Sequence, residues 1–285
     1  MIVLGALVAF FPAAQACRAA TPEVMAWCDA LEKRLKSVDA RFCQQQNLHP
    51  DKRRSVGGHP LMMLDAAPAK SASARRPVRI LLIGGLHGDE LTSVSIVFRW
   101  LRFLDEPLSR AHHWRIAPLA NPDGLFARPP KRMNGNGVDL NRNFPTPDWA
   151  QNALPYWQRR TQKDPRRFPG NKAMSEPETQ WLCAEIDAFK PDVIISVHAP
   201  YGVLDYDGAA PPPPHRLGRL NLNQLGVYPG SLGNFGGIFR DIPVVTIELT
   251  NATTMPSPEE QRRIWNDMLG WIQERLVHPE SGPGH

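Results

Sequence analysis

Short apolar runs alternate with amphipathic stretches along this chain, and the alternation is clearest from Val78 onward. Val78 to Leu86 reads as a buried strand and Leu91 to Leu104 as a helix. Trp114 to Leu119, Asp192 to His198 and Ile242 to Leu249 are further short runs with strand character. Ser175-Glu176-Pro177-Glu178 has the form of a capping box with an early proline, and predicts a helix to about Phe189. Ser257-Pro258-Glu259-Glu260 repeats the device and opens a last helix carrying Ile264, Met268, Trp271 and Leu276. Strands alternating with helices imply an α/β domain with a largely parallel sheet, whose ligands lie beyond the carboxyl ends of the strands.

Before this domain the pattern changes. Thr21-Pro22-Glu23 is a capped helix start, with Val24, Trp27, Leu31, Leu35 and Val38 at helical spacing, and reads as an accessory that packs on the main domain. Asp65 to Pro77 is small, polar and proline-bearing, the composition of a linker or surface loop. The first residues, MIVLGALVAFFPAAQA, form an apolar run ending in Ala14-Gln15-Ala16, a small-x-small signal for cleavage before Cys17. Export to the periplasm or beyond the cell is the expectation.

Composition narrows the classes. With 42% hydrophobic and 21% charged residues, no stretch after the first residues is long and apolar enough to span a bilayer, so no transmembrane segment is expected after the signal. Four cysteines in an exported chain permit disulfides; Cys28 and Cys43 flank one short helical segment and are the preferred pair. No cysteines stand at CxxC spacing, which argues against a thiolate zinc site. The net charge of +5 comes largely from Arg53-Arg54, Arg75-Arg76, Arg159-Arg160 and Arg166-Arg167. These pairs read as solvated loops, and no basic stripe interleaved with aromatics points to a nucleic-acid partner.

Polar residues at the strand ends carry the candidate chemistry. His87 and Glu90 follow the first strand, His198 ends DVIISVH, and Glu248 sits inside the apolar run IPVVTIEL. Each alone reads as a hydrogen-bonded or paired structural residue. Together they supply two imidazoles and a carboxylate, the ligand set of an open catalytic zinc site, with a fourth group left over as a base. Between them RMNGNGVDLNRNFP, Arg132 to Pro145, contains an Asn/Gly turn, then Arg142 flanked by amides, a guanidinium suited to holding a carboxylate. Arg132 is a second cation that could face a developing oxyanion.

The blocks HGDE, NPDG, GVDLNRNFP, SVHAPYG and TIELT occur in the order and rough spacing of the zinc metallocarboxypeptidase family. The chain most resembles its bacterial murein peptide amidase branch, which cleaves the γ-D-glutamyl to diaminopimelate bond of peptidoglycan peptides. That resemblance implies a mixed, mainly parallel sheet sandwiched by helices. It implies one zinc ion bound by His87, Glu90 and His198, and a scissile carbonyl polarised by Arg132. Asn141 and Arg142 would grip the substrate's terminal carboxylate, and Glu248 would be the general base acting on a metal-bound water. The family commonly has a mobile substrate-capping tyrosine upstream of the glutamate strand, and Tyr228 is the only tyrosine between Gly208 and Glu248. Asp205 and Asp207 are expected to be solvated loop acids, with recognition of an amine as the alternative.

The chain then divides into a signal peptide (1–16), an N-terminal helical accessory segment and linker (17–77), a zinc carboxypeptidase-like catalytic domain (78–278) and a tail (279–285). The expected partner is a murein peptide or another short peptide. The alternatives are an ordinary metallocarboxypeptidase acting on α-linked peptides, and a non-catalytic peptidoglycan-binding relative.

Overall fold

The structure, a computed structural model, describes residues 20–69 and 76–278; the expected signal peptide and tail lie outside the described residues. Arg79–Ile83 (β3) is apolar on both faces because both are covered. Ile80 and Leu82 pack with one set of helices, while Leu81 and Ile83 pack into a second cluster on the other side. His113–Ala117 (β4), Val193–His198 (β5) and Val244–Glu248 (β9) run parallel to it. The edges of the sheet are antiparallel: Pro60–Ala66 (β2) pairs with β4, Leu48–Arg54 (β1) with β2, and Val203–Asp207 (β6) with β9. The order among the described residues is β1-β2-β4-β3-β5-β9-β6, with Arg216–Leu217 (β7) and Leu220–Asn221 (β8) as a separate short pair.

The first cluster joins one face of the sheet to Pro22–Arg34 (α1), Ala40–Gln44 (α2), Leu91–Trp100 (α3) and Pro258–Ile272 (α7). Trp265 of α7 is fully buried, stacked 5.0 Å from Trp114 and tilted against Trp100 at 5.6 Å, which fixes the last helix to the sheet. The second cluster joins the other face to Pro177–Phe189 (α6) and to Leu140, Phe144, Leu232 and Phe235 from the long connections. Pro122–Phe126 (α4) and Trp149–Arg159 (α5) lie in the chain between β4 and α6.

Three expectations are corrected here. The helical accessory segment is only part of residues 17–77, because β1 and β2 add a hairpin to the sheet edge. The β1 run LHPDKRR is polar and lacks an apolar period, so pairing with β2 rather than burial holds it. The linker expectation also fails at its start, since Asp65 and Ala66 belong to β2. Ser175 does not cap α6; its hydroxyl accepts from Asn143 Nδ2 at 3.0 Å, and no side chain caps the helix. Thr21 and Ser257 do cap their helices, and Cys28 is bonded to Cys43, tying α1 to α2.

Candidate metal centre and active site

The strand β3 ends in a turn that only glycines allow. Gly85 has φ +60°, and a Cβ on Gly88 would lie 2.2 Å from the backbone carbon of Gly124, so the turn after β3 presses directly against the NPDG turn. Asn121 locks the two together, accepting from Gly124 N at 2.8 Å and donating to the carbonyl of Arg132 at 2.9 Å. Ser93 of α3 donates to the Glu90 carbonyl and accepts from Gly85 N. His87 and Glu90 are therefore held from three sides. Their third partner arrives through sheet register, because His198 and Glu248 are opposite one another on the parallel strands β5 and β9.

His87, Glu90 and His198 are all buried, with ligand atoms within 4.8 Å of one another. His87 Nδ1 lies 2.7 Å from Glu90 Oε1, and His198 Nδ1 lies 3.0 Å from Glu90 Oε2 and 3.1 Å from His87 Nδ1. On its far side His87 Nε2 donates to Asp139 Oδ1 at 3.1 Å, which leaves Nδ1 as a bare lone pair aimed at the other two groups. The three groups are close enough to hold one metal ion, and a nitrogen-rich set of this kind suits zinc rather than calcium or magnesium. Desolvation works against the Glu90 carboxylate, yet the two imidazoles outweigh it and hold its pKa far below the usual range. Burial and Arg132 oppose protonation of His87, while Glu90 and Asp139 prevail and raise its pKa.

Asp139 was not singled out in the sequence. It is fully buried, accepts from His87, from Arg132 Nε at 3.0 Å and from Asn141 N at 3.0 Å, and so orients both a metal ligand and the candidate oxyanion cation. Its signal was its place in GVDLNRNFP, but nothing in the run says which acid faces a histidine. Arg132 also reaches Glu90 Oε1 at 3.3 Å.

Glu248 enters the same pocket. Its Oε2 is buried without a hydrogen-bond partner, and desolvation, together with the Glu90 charge, raises its pKa against the pull of His198 and His87. A cavity of about 170 Å³ leads away from it, bordered by Asn141, Arg142, Tyr228, Asp205 and Asp207. Asn141 Oδ1 accepts from Leu232 N at 2.8 Å, which turns the amide so that its NH₂ is the free end. Arg142 is buried with Nε unpartnered; its guanidinium lies 4.5 Å from the centre of the Tyr228 ring, and Tyr228 donates its hydroxyl to Leu225 O. Tyr228 lies against Arg142 at the edge of the pocket.

Asp205 and Asp207 are not solvated loop acids. They stand two apart on β6, pointing to one face, 6% and 9% exposed, at the edge of the same cavity. Asp205 accepts from Leu225 N at 3.0 Å, whereas Asp207 has no hydrogen-bond or ion-pair partner among the described residues. Burial and the neighbouring Asp205 push Asp207 up to about 7. A Cβ on Gly233 would lie 1.9 Å from Asp207 Oδ2, so glycine is what leaves that carboxylate its space. The expectation for Arg166-Arg167 also changes, since both border a second cavity beside Glu90 and Arg132. The largest groove, about 1310 Å³, lies around Pro191 and Pro243 at the amino ends of β5 and β9, away from these groups.

Fold and site together define a metallohydrolase architecture in which two imidazoles and a carboxylate at adjacent strand ends face a free carboxylate. Residues 49–224 match the zinc carboxypeptidase family, and the chain belongs to that family. Murein peptide amidase A of Escherichia coli K12 is 38% identical over 154 residues, covering 53% of this chain and 59% of that protein. The aligned region thus spans little more than half of that relative's length. The same enzyme of Vibrio campbellii is 34% identical over 203 residues, 69% of this chain and 77% of that one. The crystal structure of the murein-tripeptide amidase of E. coli O157 superposes with a TM-score of 0.55 at 27% identity, covering 80% of this chain and 92% of the other. Carboxypeptidase A of Helicoverpa armigera shares the fold, with a TM-score of 0.61 at 18% identity over 92% of this chain and 74% of that one.

Proposed function

We propose that the protein hydrolyses the γ-D-glutamyl to diaminopimelate bond of murein peptides, using one zinc ion held by His87, Glu90 and His198. Zinc bound there supplies Lewis acidity and makes water acidic enough to act as a nucleophile near neutral pH. Glu248 would accept a proton at its carboxylate from the attacking water as oxygen adds to the scissile carbonyl carbon. Arg132 faces the carbonyl oxygen as it gains charge. When the C–N bond breaks, Glu248 returns the proton to the leaving amine, so the carboxylate is restored. Asn141 and Arg142 bind the terminal carboxylate, with Tyr228 keeping the guanidinium in place. An exported location is part of the proposal, supported by the Cys28–Cys43 disulfide, which persists in oxidising compartments.

The observation that carries the reading is the pairing of Arg142 with the buried acids Asp205 and Asp207 in one cavity. A released residue that satisfies both must carry a carboxylate beside the scissile amine and an ammonium on its side chain, as diaminopimelate does. An aliphatic or aromatic residue there would leave Asp207 buried and unpaired. A plain carboxypeptidase for α-linked peptides ending in a basic residue is the second reading supported by the same acids. The unpartnered Glu248 Oε2 beside the ligand set speaks against a binding-only relative, which would have no use for it. Mass spectrometry after incubating the zinc-loaded protein with murein tripeptide and with an α-linked peptide ending in lysine separates the readings. Release of diaminopimelate from the first alone is expected; cleavage of the second alone would replace the proposal with the carboxypeptidase reading.

A further inference from the structure

The second cavity, about 260 Å³, is lined by Glu90 and shares Arg132, Arg167 and Tyr201 with the one that Arg142 lines. If Asn141 and Arg142 fix the released residue, the acyl residue of the scissile bond points into this second space. Arg167 borders both cavities, at the end of the short turn Pro165–Arg167. The turn is held at the site from two directions: Asp139 N donates to Phe168 O at 2.8 Å, and Trp157 Nε1 donates to Asp164 O at 2.8 Å.

The two arginines of the turn are not equivalent. Arg166 is paired with Asp89 at 2.8 Å, which neutralises that acid beside the metal ligand Glu90. Arg167 has only Asp164, at 3.6 Å from its Nε, beyond hydrogen-bonding range, and its guanidinium donates to no acceptor among the described residues. It also lies close enough to Arg142 for the two charges to oppose each other. Its side chain is 38% exposed, so a guanidinium with one long ion pair, crowded by a like charge at the mouth of the acyl-side cavity, is placed to take an anion from solvent.

Resting on the function proposed above, we infer that Arg167 reads a free carboxylate on the acyl residue and thereby favours a γ-linked glutamyl residue over neutral α-linked residues. A γ-linked glutamyl residue keeps its α-carboxylate free, a few bonds from the scissile carbonyl. A neutral α-linked residue has no carboxylate there; α-linked glutamate keeps one at the same number of bonds, with its amide nitrogen on the other end of the three-carbon chain. The planar guanidinium matches this group in a bidentate way that an ammonium does not.

Two tripeptides differing only at that group test the inference: the free acid and its α-carboxamide, the second isosteric but neutral. The wild-type enzyme should show kcat/KM about 10- to 100-fold lower on the carboxamide, the range of a charged hydrogen bond. Arg167→Gln should bring the ratio between the two substrates close to one, and Arg167→Lys should restore only part of it. Calorimetry in a Glu248→Gln background, with and without Arg167→Gln, reads the same preference as affinity without turnover. Equal affinity of the Glu248→Gln protein for acid and carboxamide overturns the inference, as does an Arg167→Gln loss that is equal for both. If that affinity difference stands while the γ-bond stays intact under zinc-loaded wild type, the proposed function fails and the carboxylate site does not.

Discussion

Asp139→Asn removes one charge and almost no volume, so its effect follows from hydrogen-bond directions. Oδ1 accepts from His87 Nε2 and Asn141 N, and Oδ2 accepts from Arg132 Nε. An amide has one accepting oxygen and one donating NH₂. Kept towards His87, the oxygen leaves NH₂ facing the Arg132 N–H; flipped, it leaves NH₂ facing His87 Nε2. Either arrangement opposes donor to donor in a fully buried place, at about 1–3 kcal/mol. In the flipped arrangement His87 escapes by moving its proton to Nδ1, which removes the lone pair that would bind zinc. Zinc affinity should therefore fall about 10- to 100-fold, measured by competition with a calibrated chelator at constant pH. Circular dichroism of the metal-free variant checks that the fold survives. Affinity within about twofold of wild type would refute the claim that Asp139 sets the His87 tautomer.

Three further outcomes are expected. Glu248→Gln should keep its zinc while turnover falls about 10²- to 10⁴-fold, compared by metal analysis and peptide hydrolysis on one sample; retained turnover would remove the base from the mechanism. Replacing Cys28 and Cys43 together by serine should lower stability by about 3 kcal/mol, from the chain entropy released by a loop of 15 residues, read as a shift in the urea midpoint. His112 is buried with both ring nitrogens unpartnered, and burial lowers its pKa from 6.5 to about 4. Between those pH values the unfolded chain binds a proton that the folded protein refuses. Its contribution is thus a loss of stability as pH falls from 6.5, reaching on the order of 3 kcal/mol below pH 4. Urea unfolding at several pH values should show a shallower slope for His112→Leu, and parallel curves would contradict this.

Much of the fold is legible from local pattern. β3, β5 and β9 are continuous apolar runs because both their faces are covered, and α7 carries its cap and its apolar stripe openly. What escapes is held by partners distant in sequence. β1 gains its strand conformation from β2, β6 from β9, and neither stretch has the apolar run by which strands are recognised. Asp205 and Asp207 illustrate the cost: as acids in a polar, glycine-flanked stretch they look solvated, and only pairing with β9 turns both into the cavity.

Residue types and their order along the chain were enough to nominate the candidate ligands, base and carboxylate anchor, since two histidines and two glutamates at strand ends are expensive to place there without a use. Distances between chain segments decided the rest. The carboxylate behind His87, the brace on Arg142, the buried acids across from it and the free guanidinium of Arg167 depend on which loops touch, and contact across a hundred residues leaves no local trace in composition or period.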